Sequence, residues 1–213
     1  MKQLISILTF LMVSVNVLAQ ENLHKQQKKI VQSVYKYSND NIQLIEGEVP
    51  YMFEEIIKTS LNYTDAKYLP RKVKYDENGN KLKEPQITGN SFHVFLAKSK
   101  RDKNWEERSL AYFCERFNYY TNGIIACSED CEKTNYEFVI KILEVYRNGN
   151  IKVNVLLKDA KTGDTLCVFE CLSSDCDDDD EITLRDQLST IGSFMGSVMN
   201  RIQKYNAKQM QKK

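Results

Sequence analysis

The chain has 213 residues, of which 42% are hydrophobic and 28% charged, a balance that supplies a sizeable core and excludes a wholly disordered chain. With 30 basic and 29 acidic residues the formal charge is +1. Taking away residues 1–19, which hold Lys2 and no acid, leaves 29 of each, so nucleic acid, which needs a strong basic excess, is excluded as the expected partner.

Taken in chain order, Met1-Lys2 precedes an apolar run from Leu4 to Val17, and Val17-Leu18-Ala19 stands before Gln20. A basic start, a short apolar stretch and small residues at its end have the layout of a secretory signal peptide over 1–19, cleaved after Ala19. The run is short for a membrane-spanning anchor. The first cysteine is Cys114, which argues against lipoprotein anchoring. The expected location is therefore secreted or periplasmic, with no stable membrane insertion once the leader is removed.

Leu23, Ile30, Val34 and Tyr37 fall at helical spacing, predicting a helix over Glu21–Ser38 that Asn39-Asp40-Asn41 ends. A second helix is predicted from Pro50 to about Asn62, with Met52, Ile56, Ile57 and Leu61 on one face. Thr64 to Gly89 reads as a short hairpin around Asp76–Asn80 or as a surface loop. Phe92, Val94 and Leu96 alternate as in a strand. Trp105, Ser109, Phe113 and Phe117, flanked by Leu110, Cys114 and Tyr120, mark an amphipathic helix ended by Asn122-Gly123. Ile124–Cys127 reads as a short strand.

Three strand-like segments then follow. Tyr136, Phe138, Ile140 and Ile142 alternate, as do Ile151, Val153, Val155 and Leu157, with Asn148-Gly149 between them as a two-residue turn. That turn predicts Tyr146 opposite Ile151, Ile142 opposite Val155 and Ile140 opposite Leu157, leaving Glu144 as a misfit opposite Val153. A left-handed Gly163 in the next turn places Cys167, Phe169 and Cys171 opposite Leu157, Val155 and Val153, in the core. The other face carries Leu143, Leu156 and Val168, too apolar for bare solvent and hence a candidate partner face. A last helix over Ile182–Tyr205 presents Leu184, Leu188, Ile191, Met195, Val198 and Ile202. Gly192 and Gly196 within it signal a close approach, expected against the chain's own sheet, with a partner helix as the alternative. The fold class is α+β: an antiparallel sheet, with the three-stranded meander over 136–172 plus one or two further strands, packed with two to three helices including a long C-terminal one. The expected layout is a signal peptide (1–19), an N-terminal helical region with an irregular or hairpin segment (20–90), an α+β domain (91–206) and a basic tail (207–213).

Residue chemistry points to structure more than to catalysis. Six cysteines in an exported chain suggest disulfides. Cys127 and Cys131 are candidates for a bridge across their own loop, Cys114 and Cys167 for one across the core, whereas Cys167 and Cys171 stand roughly 13 Å apart along one strand. The spacing matches no zinc motif. Asp175, Asp177 and Asp179 alternate like the first ligands of a calcium loop, but Asp180 stands where glycine is needed and Asp186 where a bidentate glutamate is; no metal or cofactor is expected. His24 and His93 offer little to a triad, and no nucleophile elbow, P-loop or metalloprotease helix is present. Asn62-Tyr63-Thr64 and Asp164-Thr165-Leu166 match short glycosylation patterns.

A leader ending Leu18-Ala19-Gln20, followed by a small α+β body with the turn Lys161-Thr162-Gly163-Asp164, resembles secreted proteins of Bacteroidota-type bacteria. In element order the body is more distantly similar to the amino-terminal domain of TolB-like envelope proteins, which implies a module that contacts other proteins and transfers no catalytic residues. The expected function is an exported, non-catalytic binding or envelope-associated module whose partner is another envelope or secreted protein. The alternative is a hydrolase of envelope polymers using paired carboxylates or a Cys–His pair such as Cys114 with His93.

Overall fold

The structure, a computed structural model, describes residues 22–34, 41–69, 105–146, 150–173 and 184–212. The leader, the segment Phe92–Leu96 with His93, the Asp76–Asn80 turn and the acids Asp175, Asp177 and Asp179 lie outside the described residues.

The meander anticipated from alternation forms the centre of the sheet. Strands β5 (Tyr136–Tyr146), β6 (Ile151–Asp159) and β7 (Thr165–Leu172) pair antiparallel in sequence order. Among the described residues four further strands, β1 (Asn41–Gly47), β2 (Glu55–Asn62), β3 (Lys67–Leu69) and β4 (Ile125–Ser128), extend it to seven in the order β1-β7-β6-β5-β2-β4, with β3 beside β5. The class is α+β, but the sheet is mixed, because β2, β3 and β4 join in parallel. Helices α1 (residues 22–34), α2 (Trp105–Thr121) and α3 (Leu184–Met210) complete the described elements.

One predicted helix is a strand. The stretch Pro50–Asn62 contains no helix; Glu55–Asn62 is β2. Ile57 and Thr59 are buried and Leu61 is partly buried, while Ile56 and Lys58 are exposed. This alternation of β-branched residues at period two outweighed the apparent helical spacing of Met52, Ile56 and Leu61. Pro50 belongs to an extended connection rather than to a helix start.

The first hairpin keeps its faces but not its predicted register. Phe138 pairs with Leu157, Ile140 with Val155 and Ile142 with Val153, two residues from the expectation. Tyr146 N–H donates to Asn150 O at 2.8 Å, a pairing one residue away from the expected Tyr146 opposite Ile151; residues 147–149, which hold the Asn148-Gly149 turn, lie outside the described residues. The pairing near the turn is one residue off, with Glu144 opposite Lys152 and Val145 opposite Ile151, and a bulge at Leu143 adds the second. The bulge removes the misfit, since one extra residue turns the glutamate outward and Val145 inward. A slip of two preserves which side chains are buried; a slip of one does not. The second turn is as expected: Gly163 has φ +77°, and Cys167, Phe169 and Cys171 face Leu157, Val155 and Val153.

The core gathers the inner face of the sheet against α2 and α3. Phe113, Phe117, Phe138 and Phe169 are fully buried, each contributing about 1.5–3 kcal/mol of burial, with the Phe117 and Phe138 rings edge-to-face at 5.5 Å between centroids. Asn122 (φ 53°) and Gly123 (φ 74°) end α2. Gly192 and Gly196 do mark a close approach, but to helix α2 rather than to the sheet. A Cβ on Gly192 would stand 2.4 Å from Phe113 O, and one on Gly196 2.5 Å from Phe117 O.

Candidate functional site

Three buried amides shape the connection between β1 and β2. Gln27 of α1 brackets Val49, its Nε2 donating to Val49 O at 2.9 Å and its Oε1 accepting from Val49 N at 2.9 Å. Asn206 of α3 donates to the same carbonyl at 3.1 Å. One turn earlier, Gln203 accepts from Met52 N at 2.7 Å and donates to Pro50 O at 3.0 Å. Buried backbone groups without a strand partner need such substitutes. The result is an extended segment fixed from behind by two helices, with Val49 and Met52 facing the core.

On either side of buried Met52, Tyr51 and Phe53 turn outward, 42% and 62% exposed. Glu54 follows with φ 55°, and its N–H donates to Ile124 O at 2.9 Å, which turns the chain into β2. Ile56, 47% exposed, stands on the outer side of β2. The aromatic pair thus stands on a segment held at Val49, Pro50, Met52 and Glu54.

Beside it lies an open groove of about 720 Å³, lined by Glu54, Glu55, Ile56, Lys58, Glu137, Ala160, Lys161 and residues 132–135. Asn135 crosslinks its walls: Nδ2 donates to Glu55 Oε2 at 3.1 Å and the backbone O accepts from Ala160 N at 2.9 Å. Ser60 Oγ donates to Glu137 Oε1 at 2.9 Å. Four glutamates and three lysines line the groove, and neither histidine nor cysteine is among them. Such a lining offers hydrogen-bonding and charge-pairing groups to a ligand.

The other anticipated residues are dispersed. Leu143 and Leu156 are half-buried on the sheet face opposite the helices, and Val168 is 6% exposed there. The Lys152–Glu170 ion pair at 2.9 Å shares that face. His24 Nδ1 lies 2.5 Å from Gly47 O, and burial, ahead of the opposing influence of His24, raises the neighbouring Glu48 carboxyl above its usual range. Cys127 and Cys131 are both free: Cys127 points into the core, while Cys131 lies beyond the strand with Sγ 3.9 Å from Lys133 O. Cys167 and Cys171 are free and buried on β7, and burial pushes both thiols up. Cys114 does not meet Cys167. It meets Cys127, with Thr59 beside both sulfurs. The thiol of Cys127 stabilises the Cys114 thiolate and lowers its pKa, whereas burial drives the Cys127 thiol far up. Among the described residues no group of three or more His, Cys, Asp or Glu side chains is arranged to hold a metal ion, and no helix is long and apolar enough to cross a membrane.

Sequence reasoning missed Tyr51 and Phe53 because they were absorbed into a predicted helix. The local signal was the β-branched period-two run Ile57, Thr59 and Leu61; nothing in the sequence marked Tyr51 and Phe53 as exposed, since the φ of 55° at Glu54 breaks the alternation before β2.

No family model matches the sequence, and no curated protein matches it. Among solved structures, the chain is similar to a PelC dodecamer from Paraburkholderia phytofirmans at 7% identity and a TM-score of 0.40, over 76% of this chain and 97% of that one. A substituted form of the same protein gives 9% and 0.38 over the same shares. A protein from Xanthomonas campestris gives 9% and 0.34, over 76% of this chain and 91% of that one. None of these similarities carries information about function.

Proposed function

We propose that this chain is an exported, non-catalytic binding module that docks another envelope or secreted protein, with Tyr51 and Phe53 as its anchors and the adjoining charged groove as the polar part of the contact. The observation that carries the reading is the clamp of Gln27, Gln203 and Asn206 behind an exposed aromatic pair. Ordering a loop at the moment of binding costs affinity, and a segment already fixed avoids most of that cost. Tyrosine and phenylalanine bring large contact area with few rotatable bonds. Export is supported by the basic start and apolar run of residues 1–19.

The test uses cells producing the chain with a photo-crosslinking residue in place of Ile56, and compares Tyr51→Ala/Phe53→Ala with Leu143→Ser/Leu156→Ser. The expected result is a discrete crosslinked species in the exported fraction, lost at least tenfold in the aromatic variant while its melting temperature stays within about 2 °C of the parent. Loss only in the Leu143/Leu156 variant would move the contact away from the aromatic pair, to the outer sheet face around those two leucines. Absence of any discrete species in the exported fraction would refute the reading.

A further inference from the structure

Cys114 on α2 and Cys127 on β4 stand thiol to thiol where the helix crosses the edge of the sheet. Their juxtaposition is fixed by a third residue. Asn118, one helical turn after Cys114, accepts from Cys127 N at 2.7 Å and donates from Nδ2 to Cys127 O at 3.1 Å. A side-chain amide that holds both backbone groups of one strand residue sets the register between helix and strand, and the residue one turn earlier on the same helix face then meets that strand residue's side chain. Cys114 is 7% exposed and Cys127 3%. Thr59, 2% exposed, brings Oγ1 against the pair and has no hydrogen-bond partner of ordinary geometry among the described residues.

We propose that Cys114 and Cys127 are joined in the mature protein by a disulfide that staples α2 to the edge strand β4. The inference rests on the export reading for the setting in which the bond forms, since oxidising compartments sustain structural disulfides and the cytosol does not. Formation takes place by exchange with a disulfide-bearing oxidant before α2 closes over the strand. The Cys114 thiolate attacks one sulfur of the oxidant and releases the other as a thiolate. The Cys127 sulfur, giving up its proton, attacks the Cys114 sulfur of the mixed disulfide and releases the second oxidant thiolate. Two protein thiols are oxidised, one oxidant disulfide is reduced to two thiols, and the two protons end on those leaving groups. Once α2 has docked, burial of both sulfurs shields the bond from reductants. Cys131 is an inferior partner for Cys127, because it lies half-buried beyond the strand while Cys127 points inward.

The experiment refolds the full chain from denaturant in a reduced/oxidised glutathione buffer, quenches with acid, alkylates under denaturing conditions and maps the peptides by mass spectrometry. The expected result is a Cys114–Cys127-linked peptide, about 2 Da below the sum of its reduced parts, in most of the protein, with Cys131 alkylated. Cys131→Ser retains the link; Cys114→Ser abolishes it and leaves Cys127 alkylated. The oxidised chain melts higher than the same chain reduced, a comparison that needs no variant to fold. Alkylation of both Cys114 and Cys127 in the refolded wild type, or a Cys127–Cys131 link, overturns the proposal. Mapping the same peptides from exported and cytoplasmic fractions separates the two readings. A chain found in the cytoplasm that forms the link only in glutathione refutes export and upholds the pairing. An exported chain with both thiols free refutes the pairing and upholds export.

Discussion

The Tyr146 hydroxyl donates to Glu144 Oε2 at 2.5 Å, and Glu144 is available because the bulge at Leu143 turned it out of the core. Burial first, then the hydrogen bond and the charge of Glu144, push the Tyr146 phenol up to about 12. An unfolded tyrosine titrates near 10. The folded state therefore holds this proton more tightly than the unfolded state. Its contribution to stability is complete below about pH 10 and falls away as the pH rises from about 10 to about 12. Tyr146→Phe is expected to remove the last step in a tyrosinate absorbance titration and to flatten the loss of urea resistance above about pH 10. An unchanged last step would place that titration on another tyrosine. The same bulge explains why residue-level reading of the hairpin met a misfit: Asn148-Gly149 is a strong turn signal, but alternation alone does not reveal that one residue of β5 goes unpaired.

Between elements, the contact of α2 with α3 depends on what is missing from two side chains. At Gly192 and Gly196 the methyl group of an alanine would sit 2.4 Å from Phe113 O and 2.5 Å from Phe117 O, inside any allowed contact with a backbone atom that has no rotamer to change. Gly192→Ala and Gly196→Ala are each expected to lower unfolding free energy by about 1–3 kcal/mol through overpacking, read from urea denaturation. In a solvated helix the same change gains about 1 kcal/mol, so a stabilised variant would show that the helices do not approach this closely. Gly163→Ala serves as the contrast, because nothing lies within 4 Å of its Cβ position and only the φ of +77° opposes it. Its expected cost, about 1–2 kcal/mol, is backbone strain alone.

Across the whole molecule, Val49 O is the point where α1, α3 and the β1–β2 connection converge, accepting from Gln27 Nε2 and Asn206 Nδ2. Gln27 lies 179 positions before Asn206, and their side chains also meet at 3.4 Å. Groups that share an acceptor do not contribute independently. Gln27→Leu and Asn206→Leu are each expected to destabilise by about 1–3 kcal/mol through unpaired buried groups, and their double-mutant cycle to show a coupling of about 0.5–3 kcal/mol. Additivity within about 0.3 kcal/mol would mean that the ends of the chain are not linked here. That linkage also bears on binding, since the clamp is what fixes the segment displaying Tyr51 and Phe53.

The sequence by itself determined the α+β class, the central meander, the helix ended by Asn122-Gly123, the long C-terminal helix and the inward face of Cys167, Phe169 and Cys171. Each of these follows from a periodicity or a turn residue acting over a few neighbouring positions. Only the tertiary structure decided that Glu55–Asn62 is a strand, that β2 and β4 join the sheet in parallel, that Gly192 and Gly196 face α2, and that Cys114 meets Cys127 rather than Cys167. Those outcomes depend on which elements become neighbours. Parallel pairing and helix contacts join residues far apart in the chain, and no local pattern of side chains records the partner. Tyr51 and Phe53 show the same division: they lie within a few residues of one another, but the amides that hold their segment in place come from α1 and α3, at opposite ends of the described chain.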